Sequence, residues 1–252
     1  MILSCDWHLH SCLSPCADLA MSPSAIVSVL QKKNIQIAAL TDHNTCLNCP
    51  TFAKLCFKAN IAALYGMELQ TIEEIHTLCL FANLQTAMNF GEEIYNLIPF
   101  FKNNPEKNGD QVYVDEDETI LGEVEKYLHI SAEISLDDAT QRVHELGGLC
   151  IPAHVNRFSF SIISQLGFIP PGNWDALEVT AIPPTYTLAH KKNKVVPLDT
   201  CGYPLTTSSD AHYIENIGQR AFTLDIKNDP LFTKKKEANL DTIRTALSRR
   251  PR

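Results

Sequence analysis

Three things are missing from this chain of 252 residues, and each narrows what it does. No apolar run reaches membrane-spanning length, which sets aside a spanning helix. The first residues show no basic stretch ahead of an apolar core, so no export signal is read there, and a soluble, cytoplasmic protein is expected. There is no excess of positive charge: 21 Lys and Arg stand against 29 Asp and Glu, a formal net charge of −8. Tight, sequence-independent binding of long nucleic acid needs a basic face, so long duplex is not an expected partner. A negatively charged ligand stays compatible where bound cations invert the local field. No internal repeat or linker divides the chain. With 45% of its residues hydrophobic and 20% charged, it can bury a sizeable core.

Cysteine is plentiful, but nine is an odd count. Without an export signal these residues read as reduced thiols. Cys46 and Cys49 form a CxxC, and with Cys12 and Cys16 they could assemble a zinc or iron–sulfur site. A lone CxxC is a weak signal, and small semi-buried apolar residues are the favoured reading.

The remaining pattern alternates strands with helices. Apolar Met1 runs into a strand ending at Asp6-Trp7-His8-Leu9-His10. Ser22 and Pro23 open a helix over 25–34. The run 35–40 predicts a buried strand ending in Asp42 and His43, and a helix follows over 50–60. Strands are predicted at 61–65, leading to Glu68, and at 76–81, opening on His76; a helix is predicted over 84–101. Segment 103–122 breaks the rhythm. It reads as an insertion, with 111–115 and 119–121 pairing as a hairpin around the acidic run Asp115 to Glu118, which is a solvated turn. Ser135 to Asp138 reads as a capping box for a helix to Leu146. Further strands are predicted at 149–154, ending in His154, at 176–179, at 203–212, ending in Asp210 and His212, and at 221–226. A terminal helix spans 241–249.

Alternating strands and helices indicate a parallel sheet, open or closed into a barrel. Side chains at i and i+2 of a strand share a face, so His8 and His10 can grip one ion. His43, Glu68, His154, Asp210 and His212 also fall at or just past strand C-termini, where α/β barrels place their active sites. His76 is the exception, at the start of its strand. Six segments delivering metal-ligand residue types to one rim argue for a metal centre.

Together Asp6-Trp7-His8-Leu9-His10, Thr41-Asp42-His43-Asn44, Gly66-Met67-Glu68, His76, Pro152-Ala153-His154 and Ser209-Asp210-Ala211-His212 resemble the polymerase and histidinol phosphatase (PHP) superfamily, in its stand-alone small-substrate type. The resemblance implies a distorted (β/α)7 TIM-like barrel, here one domain over 1–252 with the 103–122 insertion. It implies two or three divalent ions, zinc, manganese or iron. His8, His10, Glu68 and Asp210 would hold the first; Glu68, His76 and His154 the second; His43, His212 and one residue after the first motif the third. Asp18 is the expected choice for that last ligand. Cys16 is the substitute, and a thiolate there would favour zinc.

Such a centre implies hydrolysis of a phosphoester, most simply a small phosphomonoester or nucleotide, by a metal-bridging hydroxide. Asp6 and Asp42 are expected to orient ligand histidines by accepting their second ring N–H. Arg157 is the candidate phosphate clamp, and the basic stretch from His190 to Lys194 is a solvated loop or a remote phosphate contact. His129 and His144 are given no role. The rival readings are a 3′–5′ exonuclease or oligonucleotide-trimming activity, a histidinol phosphatase, and a non-catalytic metal-binding regulatory module.

Overall fold

The computed structural model describes residues 1–188 and 194–250. The basic stretch beginning at His190 therefore lies, apart from Lys194, outside the described residues.

The strands are β1 (Ile2–Asp6), β2 (Ile37–Leu40), β3 (Ala62–Gln70), β4 (His76–Phe81), β5 (Val112–Val114), β6 (Ile120–Glu123), β7 (Leu149–Pro152), β8 (Leu177–Glu178), β9 (Thr185–Leu188), β10 (Lys194–Pro197), β11 (Leu205–Thr206) and β12 (Phe222–Asp225). The helices are α1 (Pro23–Lys32), α2 (Cys49–Ala59), α3 (Leu84–Leu97), α4 (Pro105–Asn108), α5 (Leu136–Glu145), α6 (Ile162–Leu166) and α7 (Leu240–Leu247). Among these residues no helix is long and apolar enough to cross a membrane.

The main sheet has six strands in the order β12-β1-β2-β3-β4-β7 and curls into a half-barrel. It is mixed, not parallel throughout as the alternation of elements predicts. β1, β2 and β3 run parallel, while β4 is antiparallel to both β3 and β7. The short loop 71–75 between β3 and β4 explains this, since only a long crossover can return a chain to a parallel neighbour. The reversal also accounts for His76. The start of β4 lies at the rim where the parallel strands end.

β8 and β11 form a separate parallel pair, so one continuous seven-stranded ladder is not seen. Single hydrogen bonds tie this pair to the sheet on both sides. Asp175 N donates to Cys150 O (3.0 Å), Val155 N to Glu178 O (2.9 Å) and His10 N to Ala211 O (3.1 Å).

Period-two alternation divides the core into two apolar layers. Ile37, Ala39, Ala62, Leu64, Leu78, Leu80 and Ile151 face one side with Ile243 and Ala246 of α7. Ala38, Leu40, Cys79 and Cys150 face the other, against Phe52 of α2, Phe90 of α3 and Val143 of α5. Each fully buried phenylalanine here contributes about 2–3 kcal/mol. Glu68 and His76 continue the register of Leu64 and Leu78, so the polar cluster caps the first layer.

Local signals explain the helix starts. Ser22 caps α1 by accepting from Ala25 N, with Pro23 in the first turn. Ser135 caps α5 through Asp138 N, but the Asp138 carboxylate takes the Ser135 hydroxyl instead of its backbone N–H, so the reciprocal capping box is not formed. The hairpin β5–β6 forms as expected. Its turn is closed by Asp115 Oδ1, which accepts from Asp117 N and Thr119 N. The hairpin docks on the body through Asn48, whose Oδ1 accepts from Val114 N (2.9 Å), and through Thr51, whose hydroxyl donates to Val114 O (2.6 Å).

Candidate metal centre

The rim gathers seven of the nine histidines with buried carboxylates around Glu68, a side chain only 1% exposed. Glu68 sits within β3, two residues short of its end, because pairing with β4 extends the strand past the apolar run. Five imidazoles reach its carboxylate: His76 Nδ1 at 2.8 Å, His154 Nε2 at 2.9 Å, His8 Nε2 at 3.2 Å, His43 Nδ1 at 3.2 Å and His10 Nε2 at 3.3 Å.

The innermost donors are His8, His10, Glu68 and Asp210. Asp210 Oδ1 is 3.3 Å from both His8 Nε2 and His10 Nε2, and those two nitrogens are 3.2 Å apart. Glu68 approaches the same pair through both oxygens, Oε1 at 3.2 Å from His8 Nε2 and Oε2 at 3.3 Å from His10 Nε2. Clustered imidazole nitrogens and carboxylate oxygens are the donors a divalent ion such as Zn²⁺ takes, so the set fits one in chemistry. His43, Glu68 and His76 form a second group, and His10, His43 and His212 a third. His154 joins through its contact with Glu68. His154 and Asp210 hold positive φ values of 30° and 51°, a strained backbone that the site's surroundings sustain.

Protons stand in for cations when no ion is bound. Burial disfavours charge throughout the cluster, yet the imidazoles of His76, His8 and His43 hold Glu68 well below the usual carboxylate range. His8 and His10 do the same for Asp210. In return Glu68, Asp210 and Glu178 raise His8 well above the ordinary imidazole value despite its burial, and hydrogen bonds to Asp210 and Glu68 lift His10 to about 9. Burial lowers His43 and His76, and brings His129 and His212 to about 4. His8 and His10 would give up these protons to hold an ion, as metal ligation requires.

A surrounding layer of hydrogen bonds orients the donors, partly as predicted. Asp42 is linked to His10 through Ser14 instead of directly. The Ser14 hydroxyl donates to Asp42 Oδ1 (2.7 Å), so its oxygen accepts the Nδ1–H of His10 (3.0 Å) and leaves Nε2 facing the ion site. Among the described residues Asp6 has no histidine partner. It accepts from Ser209 N (2.9 Å), Ser209 Oγ (2.6 Å) and Gly218 N (2.8 Å), pinning the loop that presents Asp210. Arg157 lies over the mouth with Nη1 at 2.5 Å from Asp210 Oδ2.

Asp18 is not brought into the cluster. Its side chain is exposed and accepts from Ala20 N (2.8 Å), closing a local turn. Cys16 is placed there instead, in a group with His43 and His129. Cys46 and Cys49 are buried free thiols that both donate to Gly66 O, so they belong to the core.

Three residues escaped sequence reasoning. Glu178, at the end of β8, accepts the Nδ1–H of His8 at 3.1 Å and also takes His154 N at 3.2 Å. An acidic residue inside the apolar run Ala176 to Val179 was the available signal. Gln70 meets His76 Nε2 at 3.3 Å. His129 stacks on His43, with ring centroids 4.3 Å apart and planes 6° from parallel. No motif marked it, because it sits in a loop after the insertion.

Comparison with known proteins bears on this geometry. A lesion-specific endonuclease from Pyrococcus furiosus shares the fold, with a TM-score of 0.60 and 16% identity over 98% of this chain and 56% of its own. Endonuclease Q solved with a 27-mer duplex carrying an abasic lesion at its active site gives 0.61 and 17%, with the same coverage. This chain thus spans little more than half the length of those endonucleases. A protein assigned as a metal-dependent phosphoesterase from Bifidobacterium adolescentis gives 0.55 and 14%, covering 98% of this chain and 96% of its own. No curated protein sequence matches. The family model for the PHP domain matches residues 6–158, well over half of the 252, and that span holds Asp6, His8, His10, His43, Glu68, His76 and His154. The chain therefore belongs to the PHP domain family.

Proposed function

We propose that this chain is a metal-dependent phosphoesterase whose substrate is a small phosphomonoester or nucleotide. The observation that carries the reading is Glu68, one buried carboxylate met by five imidazoles within 3.3 Å. An isolated structural ion needs about four donors. The surplus around a shared carboxylate suits neighbouring ions acting on one substrate.

His8, His10, Glu68 and Asp210 would hold one ion, and Glu68 with His43, His76 and His154 a second. Bound divalent ions supply an acidified water and neutralise phosphoryl charge. The protein's own part is positioning. Glu178 and the Asp42–Ser14 pair keep His8 and His10 in the tautomer that aims Nε2 inward. Asp6 fixes the Asp210 loop. Arg157, more exposed than any ligand, would leave Asp210 to take a phosphoryl oxygen pair. Exposed Phe158 beside it offers an apolar face to the rest of the substrate. The hydrogen bonds from β7 to β8 and from the β11 segment to His10 support reading β1, β2, β3, β4, β7, β8 and β11 as one distorted seven-stranded barrel, and residues 1–252 as one domain.

The test is metal analysis of the full chain with a phosphate-release screen. It covers mononucleotides, 3′,5′-bisphosphates, histidinol phosphate and short oligonucleotides. Release that is abolished by chelation and falls about 10²–10³-fold or more in Glu68→Gln is expected. Activity surviving both treatments would overturn the assignment. Release confined to the internal bonds of oligonucleotides would replace the small substrate with a nucleic acid.

A further inference from the structure

A line of buried polar side chains joins the insertion to the innermost metal donors. Its members are Asn48, Ser11, Asp42, Ser14 and His10, each at most 1% exposed. It starts at the hairpin, where Val114 N donates to Asn48 Oδ1 (2.9 Å). Asn48 Nδ2 donates to Ser11 Oγ (2.8 Å), and the Ser11 hydroxyl donates to Asp42 Oδ2 (2.7 Å). Asp42 Oδ1 accepts the Ser14 hydroxyl (2.7 Å), whose oxygen accepts from His10 Nδ1 (3.0 Å). Polar groups buried in a core are costly unless every one is satisfied, so a line of five calls for a physical reason.

Each proton in this line can point only one way. A backbone N–H only donates, so Val114 N holds Asn48 with its oxygen toward the hairpin and its nitrogen toward Ser11. Ser11 Oγ also accepts from Leu13 N (3.3 Å), which fills its second lone pair and leaves its proton for Asp42. Ser14 Oγ accepts from His43 N (3.2 Å) as well as from His10, so its proton goes to Asp42 too. His10 must therefore carry hydrogen at Nδ1 and turn Nε2 toward Glu68 and Asp210. Asn44, four residues before Asn48 and also fully buried, is the contrast. Its amide donates to Leu128 O and Ile130 O, both at 2.7 Å, and its oxygen accepts from Gln70 N (2.9 Å). Those partners are backbone groups, so Asn44 clamps segments together, whereas Asn48 hands its orientation on to other side chains.

We infer that Asn48 is a positioning residue of the metal centre. Its amide carries the docking of the β5–β6 hairpin through Ser11, Asp42 and Ser14 to His10, so the insertion sets how firmly the innermost ion is held. This rests on the metal-centre reading above and deepens it. Without the amide, Ser11 regains a free lone pair, its proton is no longer confined to Asp42, and the carboxylate that orders Ser14 is loosened. The ring of His10 then loses the fixed acceptor behind it. The coupling runs both ways: an ion that fixes His10 must also tighten Val114 N on Asn48.

The test uses the full chain and zinc, with affinity read by competition with a chromophoric chelator. Asn48→Ala and Ser11→Ala are each expected to weaken zinc binding about tenfold, the usual cost of losing a partner behind a metal ligand. Both cut one line, so the double variant should bind no more weakly than either alone. Thr51→Val removes another side-chain hydrogen bond to the same Val114 without touching the line, and should bind zinc as the wild type does. Deuterium exchange of the Val114 amide, followed by NMR, gives the reciprocal measure. Zinc should slow it in the wild type by about the factor lost in affinity, relative to Asp115 N, which bonds inside the hairpin to Thr119 O. In Ser11→Ala that extra slowing should vanish. Should Asn48→Ala fail to fold, Ser11→Ala and the Val114 exchange decide alone. Additive losses, or an equal loss in Thr51→Val, overturn the inference, since Asn48 would then serve only to hold the hairpin. Unchanged affinity with the line cut overturns it and leaves the metal centre standing. A wild-type chain that binds no zinc or other divalent ion overturns both readings.

Discussion

At the scale of single residues, the centre depends as much on the side chains behind the donors as on the donors themselves. His8 and His10 differ in how their outer nitrogen is held. Glu178 gives His8 a full carboxylate, whereas His10 reaches Asp42 only through the Ser14 hydroxyl. A carboxylate accepting Nδ1–H makes Nε2 more basic and fixes the ring. Glu178→Gln keeps the size and an acceptor but removes the charge. It is expected to weaken metal binding about tenfold without unfolding the chain, measured by competition with a chromophoric chelator. Unchanged affinity would mean that Glu178 serves only to hold His154 N.

At the scale of elements, the pairing of β3 with β4 sets the site. Glu68 and His76 belong to adjacent antiparallel strands, and their distance follows from register: Gln70 pairs with His76, and Glu68 with Leu78. That pairing is close because position 66 is glycine. A Cβ on Gly66 would stand 1.8 Å from the backbone oxygen of Cys79. Gly66→Ala must therefore push the strands apart. A loss of about 3 kcal/mol in urea unfolding is expected, together with fewer ions bound per chain, since Glu68 and His76 move apart with their strands. Wild-type stability in that variant would show that the strands adapt without cost.

At the scale of the whole molecule, the cluster makes stability depend on pH in a way that metal should cancel. In the ion-free chain the fold raises His10 from 6.5 to about 9, and His8 rises too. Protonated imidazole is thus favoured by folding. That contribution is complete below about pH 6.5 and is lost as pH climbs through about 9. The lowered Glu68 and Asp210 act in the opposite sense, contributing above the usual carboxylate range and failing as acid protonates them. His129 and His212, lowered from 6.5 to about 4, likewise lose their contribution on acidification. The chelated chain should therefore melt at its highest temperature near neutrality and lose stability on the alkaline side. Metal-loaded chain should not show the alkaline loss, because ions replace the protons on His8 and His10. Thermal melts across pH, with and without chelator, check this. Parallel curves would mean that those protons do not contribute to folding.

Much of the site was legible from the chain alone, for a stated reason. Metal ligation demands histidine and carboxylate, and these residues punctuate the ends of apolar strand segments, so His8, His10, His43, Glu68, His154, Asp210 and His212 could be picked out by type and position. Short-range chemistry likewise marked the Ser22 cap, the apolar β2 and the hairpin around Asp115. What the chain could not show was anything requiring two distant segments to meet. The direction of β4, and hence why His76 belongs to the rim, comes from sheet pairing. So does the extension of β3 through Glu68. Glu178 and His129 carry no local signature; they matter because β8 lies beside His8 and because Asn44 clamps the 128–130 loop to His43. Asp18 shows the converse, a plausible ligand by spacing whose carboxylate is claimed by Ala20 N two residues away. Residue chemistry along the chain determined that metal-ligand side chains would stand at strand ends, and only tertiary packing decided which of them meet and how they are oriented, because a cluster is a matter of a few ångströms between segments that the sequence holds far apart.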